Sequence, residues 1–252
     1  MLKFVELEEA RAASGLRLVV TAGIPSPWSE GAKGCFDIKR VDYLAVRLAP
    51  RDAAVRAWTG HHNAPVALND DEPPRAGWAE ILALAERIAP QPALIPDEAQ
   101  ARVETLGLAH QILGEDGLIW CARLLLIHAG LTTDGERGFS PGAARYLAGK
   151  YGYAPERVDR ARARVSSVIA LLADRLGGRA TFGTDGPNAV DVYTAVSVGV
   201  SHPLPEHLCP MLPAMRHAYE TTDVELRAAI APALLAHRDF MYERHLTLPV
   251  RL

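Results

Sequence analysis

The chain has 252 residues, 49% of them hydrophobic, and a formal net charge of -3. That is enough for one large or two smaller domains with a real core, and the charge offers no electrostatic pull toward nucleic acid or an anionic membrane surface. The longest apolar stretch, Leu118 to Leu131, is broken by Arg123 and His128, which argues against a membrane span.

From Leu16 to about Ala89 the pattern alternates between strand and helix. Leu16 to Val20 reads as a strand, Gly23 to Glu30 as a tight turn opening a helix, and Glu30 to Lys39 as about three helical turns. Val41 to Leu48 is a second strand with in/out alternation, and Pro50 to Thr59 a short helix stopped near Gly60. Pro65 to Leu68 is a short strand, Asn69 to Glu72 a polar turn, and Pro73-Pro74 confines any following strand to an edge. A helix then starts near Gly77.

Ala89 to Pro96 contains three prolines and is the best linker in the chain. Beyond it the β signal vanishes. Helices are predicted over Asp97 to Leu113, Leu118 to Ala129, Gly142 to Lys150 (N-cap Ser140) and Pro155 to Leu176, with more from Asn188, Pro210 and Val224. The expected organisation is an α/β domain over residues 15–90 followed by an all-helical domain over 97–252. No role is assigned to the first fourteen residues. They carry Glu6, Glu8 and Glu9 and lack a basic-then-apolar leader profile. Cys35, Cys121 and Cys209 are odd in number and have no close pair. A cytoplasmic, reducing setting is therefore expected, rather than disulfides or a zinc site.

The turn at Gly23-Ile24-Pro25-Ser26-Pro27-Trp28-Ser29-Glu30 is the most informative segment. Pro27 suits the first turn of a helix, so the Ser26 hydroxyl is held beside unpaired amide hydrogens, where an anion such as a thiolate is favoured. Taken alone, Ser26 is an ordinary turn serine. Ser29 is the rival hydroxyl, one helical step further in.

Ser26-Pro27-Trp28 resembles the Ser/Cys-Pro-aromatic turn of the cytosolic glutathione transferase superfamily. Ala64-Pro65-Val66 resembles that family's Val-Pro-Val strand start, and Asn188-Ala189-Val190-Asp191 its Ser/Thr-x-x-Asp capping box. Together with the order of elements, the resemblance spans roughly residues 16 to 240. It implies a thioredoxin-like first domain, an all-α second domain and a homodimer. It also implies a detoxification transferase that joins the sulfur of glutathione, its cosubstrate, to a small apolar electrophile. Ser26 would then stabilise the thiolate. Ala64 would pair with the glutathione backbone through its main chain, presented by a cis Pro65, and Trp28 would stand beside the cosubstrate.

Where the family has an acidic residue and a serine holding the γ-glutamyl group, this chain has Ala76-Gly77. Arg75 and the backbone of Gly77 are the substitutes that the sequence offers, with Asp70, Asp71 or Glu72 for the ammonium. The departure leaves open a non-catalytic module of the same fold, and a glutathione-dependent isomerase is a further alternative. His61-His62 reads as two loop histidines rather than a metal site, since no third ligand follows at a suitable spacing. Cys35, well inside the first helix, reads as a small apolar residue or an incidental thiol rather than a nucleophile. The four tryptophans read mainly as packing, although Trp28 and Trp78 open helices at the presumed cleft. The electrophile would lie between the first domain and the helix from Asp97, with Trp120 and Arg123 as candidate lining.

Overall fold

The computed structural model describes residues 2–252. Four strands form one sheet: β1 (Leu2–Phe4), β2 (Leu16–Thr21), β3 (Tyr43–Leu48) and β4 (Val66–Asn69), in the order β1-β3-β2-β4. β3 runs parallel to both β1 and β2, and β4 is antiparallel to β2, with Val19 opposite Val66. Helices α1 (Leu7–Ala12), α2 (Pro27–Ile38), α3 (Ala53–Thr59) and α4 (Trp78–Ile88) complete this unit.

Side chains alternate across β2. Leu18 and Val20 join the main core with Phe36, Ile81 and Leu82, whereas Val19 faces a smaller cluster with Ala10, Val46, Val55 and Val66. The first fourteen residues thus supply an edge strand and a helix over the second face of the sheet. Beyond Pro73-Pro74 the edge strand that the sequence allowed is a single bridge between Arg75 and Ala67, because the two prolines can donate no ladder hydrogen bond.

The second region is all helix: α5 (Ala99–Leu113), α6 (Leu118–Thr132), α7 (Pro141–Tyr151), α8 (Val158–Leu176), α9 (Ala189–Val198), α10 (Pro213–Glu220), α11 (Val224–Ala229) and α12 (Pro232–Arg244). Ser140 makes no side-chain cap hydrogen bond, a correction to its predicted role; Pro141 alone marks the start of α7. The helix read from Pro155 opens with one tighter turn, Pro155–Arg157, and the helix expected from Pro210 starts at Pro213.

Every residue of α9 is buried. It lies against α2, where a Cβ on Gly34 would come within 2.7 Å of Val192 and one on Gly31 within 3.0 Å of the Tyr193 ring. The two glycines permit the close approach that fixes the helical region against the sheet.

Candidate active site

The β2–α2 turn places Ser26 at the mouth of a helix. Its backbone is extended (φ -68°, ψ 122°), its carbonyl accepts from the Glu30 N–H, and Pro27 follows as the first helical residue. The Ser26 side chain is buried and caps no amide of α2; it hydrogen-bonds to no other described residue. Ser29 is placed differently. Fully buried, its Oγ accepts from the Thr21 N–H at 3.3 Å and lies 3.3 Å from Thr21 Oγ1, so it ties the helix to the end of β2.

The Ala64–Pro65 peptide bond is cis, and neither main-chain polar group of Ala64 hydrogen-bonds to another described residue. The corner ahead of α4 is already satisfied internally. Glu80 Oε2 accepts from the Ala76 and Gly77 N–H groups, each at 3.2 Å, and so stands where the sequence offered amides to a ligand carboxylate. Arg75 reaches Glu72 at 3.4 Å, and Glu72 also accepts from Arg87 and Asn69. Those donors hold the Glu72 carboxyl below the ordinary range, the Arg87 hydrogen bond most of all. Asp70 accepts from the Gly15 N–H at 2.7 Å, and Asp71 is exposed.

The other wall comes from the helical region. Trp28 donates its indole N–H to the Leu113 carbonyl at 2.9 Å, and its ring faces Tyr151 at 6.2 Å. Tyr151 meets Trp120 edge-on at 4.8 Å. Arg123, one helical turn beyond Trp120, donates to Tyr219 Oη at 2.9 Å. Lys150 donates to Asn63 Oδ1 at 2.7 Å, two residues ahead of Pro65. The Leu212 N–H, at the start of α10, donates to the Gly23 carbonyl in the β2–α2 turn at 3.0 Å.

Sequence reasoning named Trp28, Trp120 and Arg123 but missed Tyr151, Lys150 and Tyr219. Tyr219 lies 96 residues from Arg123, and no periodic signal spans that gap. Trp78 packs edge-on against His110 and Tyr193.

All three cysteines are buried and unpaired. Burial pushes Cys35 and Cys121 up to about 12 and Cys209 up to about 11, so none can serve as a thiolate at neutral pH. Among the described residues no group of three His, Cys, Asp or Glu side chains is placed to hold a metal ion, and no helix is long and apolar enough to cross a membrane.

No protein-family model and no curated protein sequence matches the chain. Its structure is similar to that of a glutathione S-transferase from Methylobacterium radiotolerans JCM 2831 in complex with glutathione sulfonate. The TM-score is 0.58 with 20% identity over 91% of each chain. It is similar to rice GST1 (OsGSTU1) in complex with glutathione, with a TM-score of 0.60 and 18% identity over 94% of this chain and 93% of that one. The beta-etherase LigF from Sphingobium sp. strain SYK-6 is also similar, with a TM-score of 0.57 and 14% identity over 89% of this chain and 99% of the other. At these identities the likeness establishes the fold: a thioredoxin-like domain followed by an all-helical one, as in glutathione transferases.

Proposed function

We propose that this chain, built on the glutathione transferase fold, is a glutathione-dependent enzyme that transfers the glutathione sulfur to an electrophilic carbon. The observation that carries the reading is the free Ser26 hydroxyl at the N-terminus of α2, where no side chain caps the first amides. An unperturbed thiol, with a pKa near 8.5, is only a few per cent thiolate at pH 7. Lowering that value by about two units takes roughly 2.7 kcal/mol of preferential stabilisation of the anion. One hydroxyl donor to a charged acceptor contributes about 1.5–3 kcal/mol, and the helix terminus adds to it.

Ser26 Oγ–H donates to the sulfur and keeps its proton. The thiolate attacks the electrophile, the new C–S bond forms, and the leaving group departs with its electron pair. Ala64 pairs with the cysteinyl backbone of glutathione through the N–H and carbonyl that the chain leaves unbonded, and Pro65 presents it. Trp28, Trp120 and Tyr151 supply an apolar wall for the electrophile. Arg75 and the Gly77 amide hold the γ-glutamyl end once Glu80 has moved aside. The reading includes a cytoplasmic homodimer, supported by the resemblance and by three unpaired buried thiols.

That several structural neighbours are complexes with glutathione or glutathione sulfonate supports the cosubstrate. The occupied Gly77 amide favours a second reading, a non-catalytic module of the same fold. Ser26→Ala separates the two. Glutathione bound to the wild type should show thiolate absorbance near pH 7, a signal that the protein's own thiols cannot supply. In the variant that absorbance should vanish, and kcat/KM for an activated aryl halide should fall about tenfold to a hundredfold. No glutathione binding at millimolar concentration, or an unchanged thiolate signal in the variant, would reject the enzyme.

A further inference from the structure

The described residues include four buried cationic side chains, and their partners differ. Lys33 meets Glu30 at 2.7 Å and Lys39 meets Glu86 at 2.6 Å. Arg17 donates to the carbonyls of Gly15 and Asp70. Arg123 is only 5% exposed, yet it has neither a carboxylate nor a carbonyl; its single hydrogen bond goes to the Tyr219 hydroxyl. The rings of Phe139 and Tyr219 stand 5.5 Å from its guanidinium carbon. Burying a cation with so little compensation is costly, because the lost hydration is returned by one neutral oxygen and two ring faces.

A second cation adds to the imbalance. Lys150 lies at the rim over the Tyr151 ring, 5.7 Å from its centre, and its ammonium meets only the amide oxygen of Asn63. Lys150 directly precedes Tyr151, and Trp120, one turn before Arg123 on α6, meets that tyrosine ring at 4.8 Å, so the two cations flank one aromatic pair. No carboxylate among the described residues pairs with either. Two neighbouring cations beside an aromatic wall make a receptor for an oxyanion joined to a flat apolar body.

We propose that Arg123 and Lys150 bind a carboxylate, or a group of like shape and charge, on the electrophilic substrate, so that the substrate class is an aromatic acid rather than a wholly apolar compound. This rests on the reading of the cleft given above, but its test does not require turnover. Calorimetric titration without glutathione would compare 4-nitrobenzoate with the neutral, isosteric 4-nitrobenzamide. The wild type should bind the acid at least tenfold more tightly. Arg123→Met should remove most of that preference, and Lys150→Gln, a rim substitution that leaves the core intact, should reduce it severalfold.

Equal affinity for acid and amide in the wild type, or a preference unchanged in both variants, would overturn the proposal. Glutathione itself carries carboxylates, so its Kd is measured in the same proteins. A rise in that Kd with the nitrobenzoate preference intact would assign the cations to glutathione and also overturn it. A protein that binds the acid selectively but never turns over glutathione would reject the enzyme reading and leave this one standing.

Discussion

The N-termini of α4 and α9 are built by the same local device and end in opposite situations. In each, the third helical residue is an acid whose carboxylate reaches back to the amides before the helix. On α9, Asp191 is fully buried. It accepts from the N–H groups of Asn188 and Phe182, each at 2.8 Å, and from Gly183 at 3.3 Å. The Asn188 side chain adds a bond from the Val190 N–H at 2.8 Å. On α4, Glu80 is exposed, bonds two amides at 3.2 Å, and Gly77 offers no side chain to help. A cap sealed in the core has no substitute for its partners, so it is fixed. An exposed cap competes with water and with any anion that arrives, so it can yield.

The sharpest way to break that contrast is to remove both acids in turn. Asp191→Ala strands three amides in or near the core and should lower stability by about 3 kcal/mol or more, read from urea unfolding at pH 7. Asp191→Asn keeps one acceptor oxygen and should lose less. A loss below about 1 kcal/mol in the alanine variant would mean that burial does not distinguish the two caps. Glu80→Ala should cost under about 1 kcal/mol, since water replaces the carboxylate. If a γ-glutamyl carboxylate docks at α4, the same change should tighten glutathione binding about threefold or more by freeing the amides. An unchanged Kd would place that end of the ligand elsewhere.

How far these sites were legible in the sequence follows from how local their signals are. The Asn188-to-Asp191 box is four residues long and was readable directly: Asp191 accepts from the Asn188 N–H and the Asn188 side chain from the Val190 N–H. The β2–α2 turn was equally legible, because proline constrains its backbone within a few residues. β1 is three residues long and too short to display a period, so only its pairing with β3 reveals it. The helix expected from Val224 divides before Pro232, whose missing N–H ends one helix and suits the first turn of the next. Glu80 as a cap was missed because its partners, Ala76 and Gly77, carry no polar side chain. The Arg123–Tyr219 contact depends on how α10 returns to α6, a tertiary fact that no window of sequence contains.

Glu98 provides the mildest and most revealing test of the same contrast. It caps α5 from the N-cap position, accepting from the Gln100 N–H at 2.9 Å and the Ala101 N–H at 2.7 Å, in the open. The Gln100 amide first, and the Ala101 amide second, hold its carboxyl below its ordinary value of 4.5. A carboxyl whose pKa is depressed by folding stabilises the fold above its unfolded value, and that contribution fades as the pH falls through the folded value. Glu98→Gln should therefore unfold at slightly lower urea than the wild type at pH 7, with the gap closing as the solution is acidified below the folded value. Charge, rather than shape, is then what an exposed cap supplies. A gap that persists in acid would show that the hydrogen-bond geometry carries the effect, and an anion would have correspondingly little power to displace Glu80 from α4.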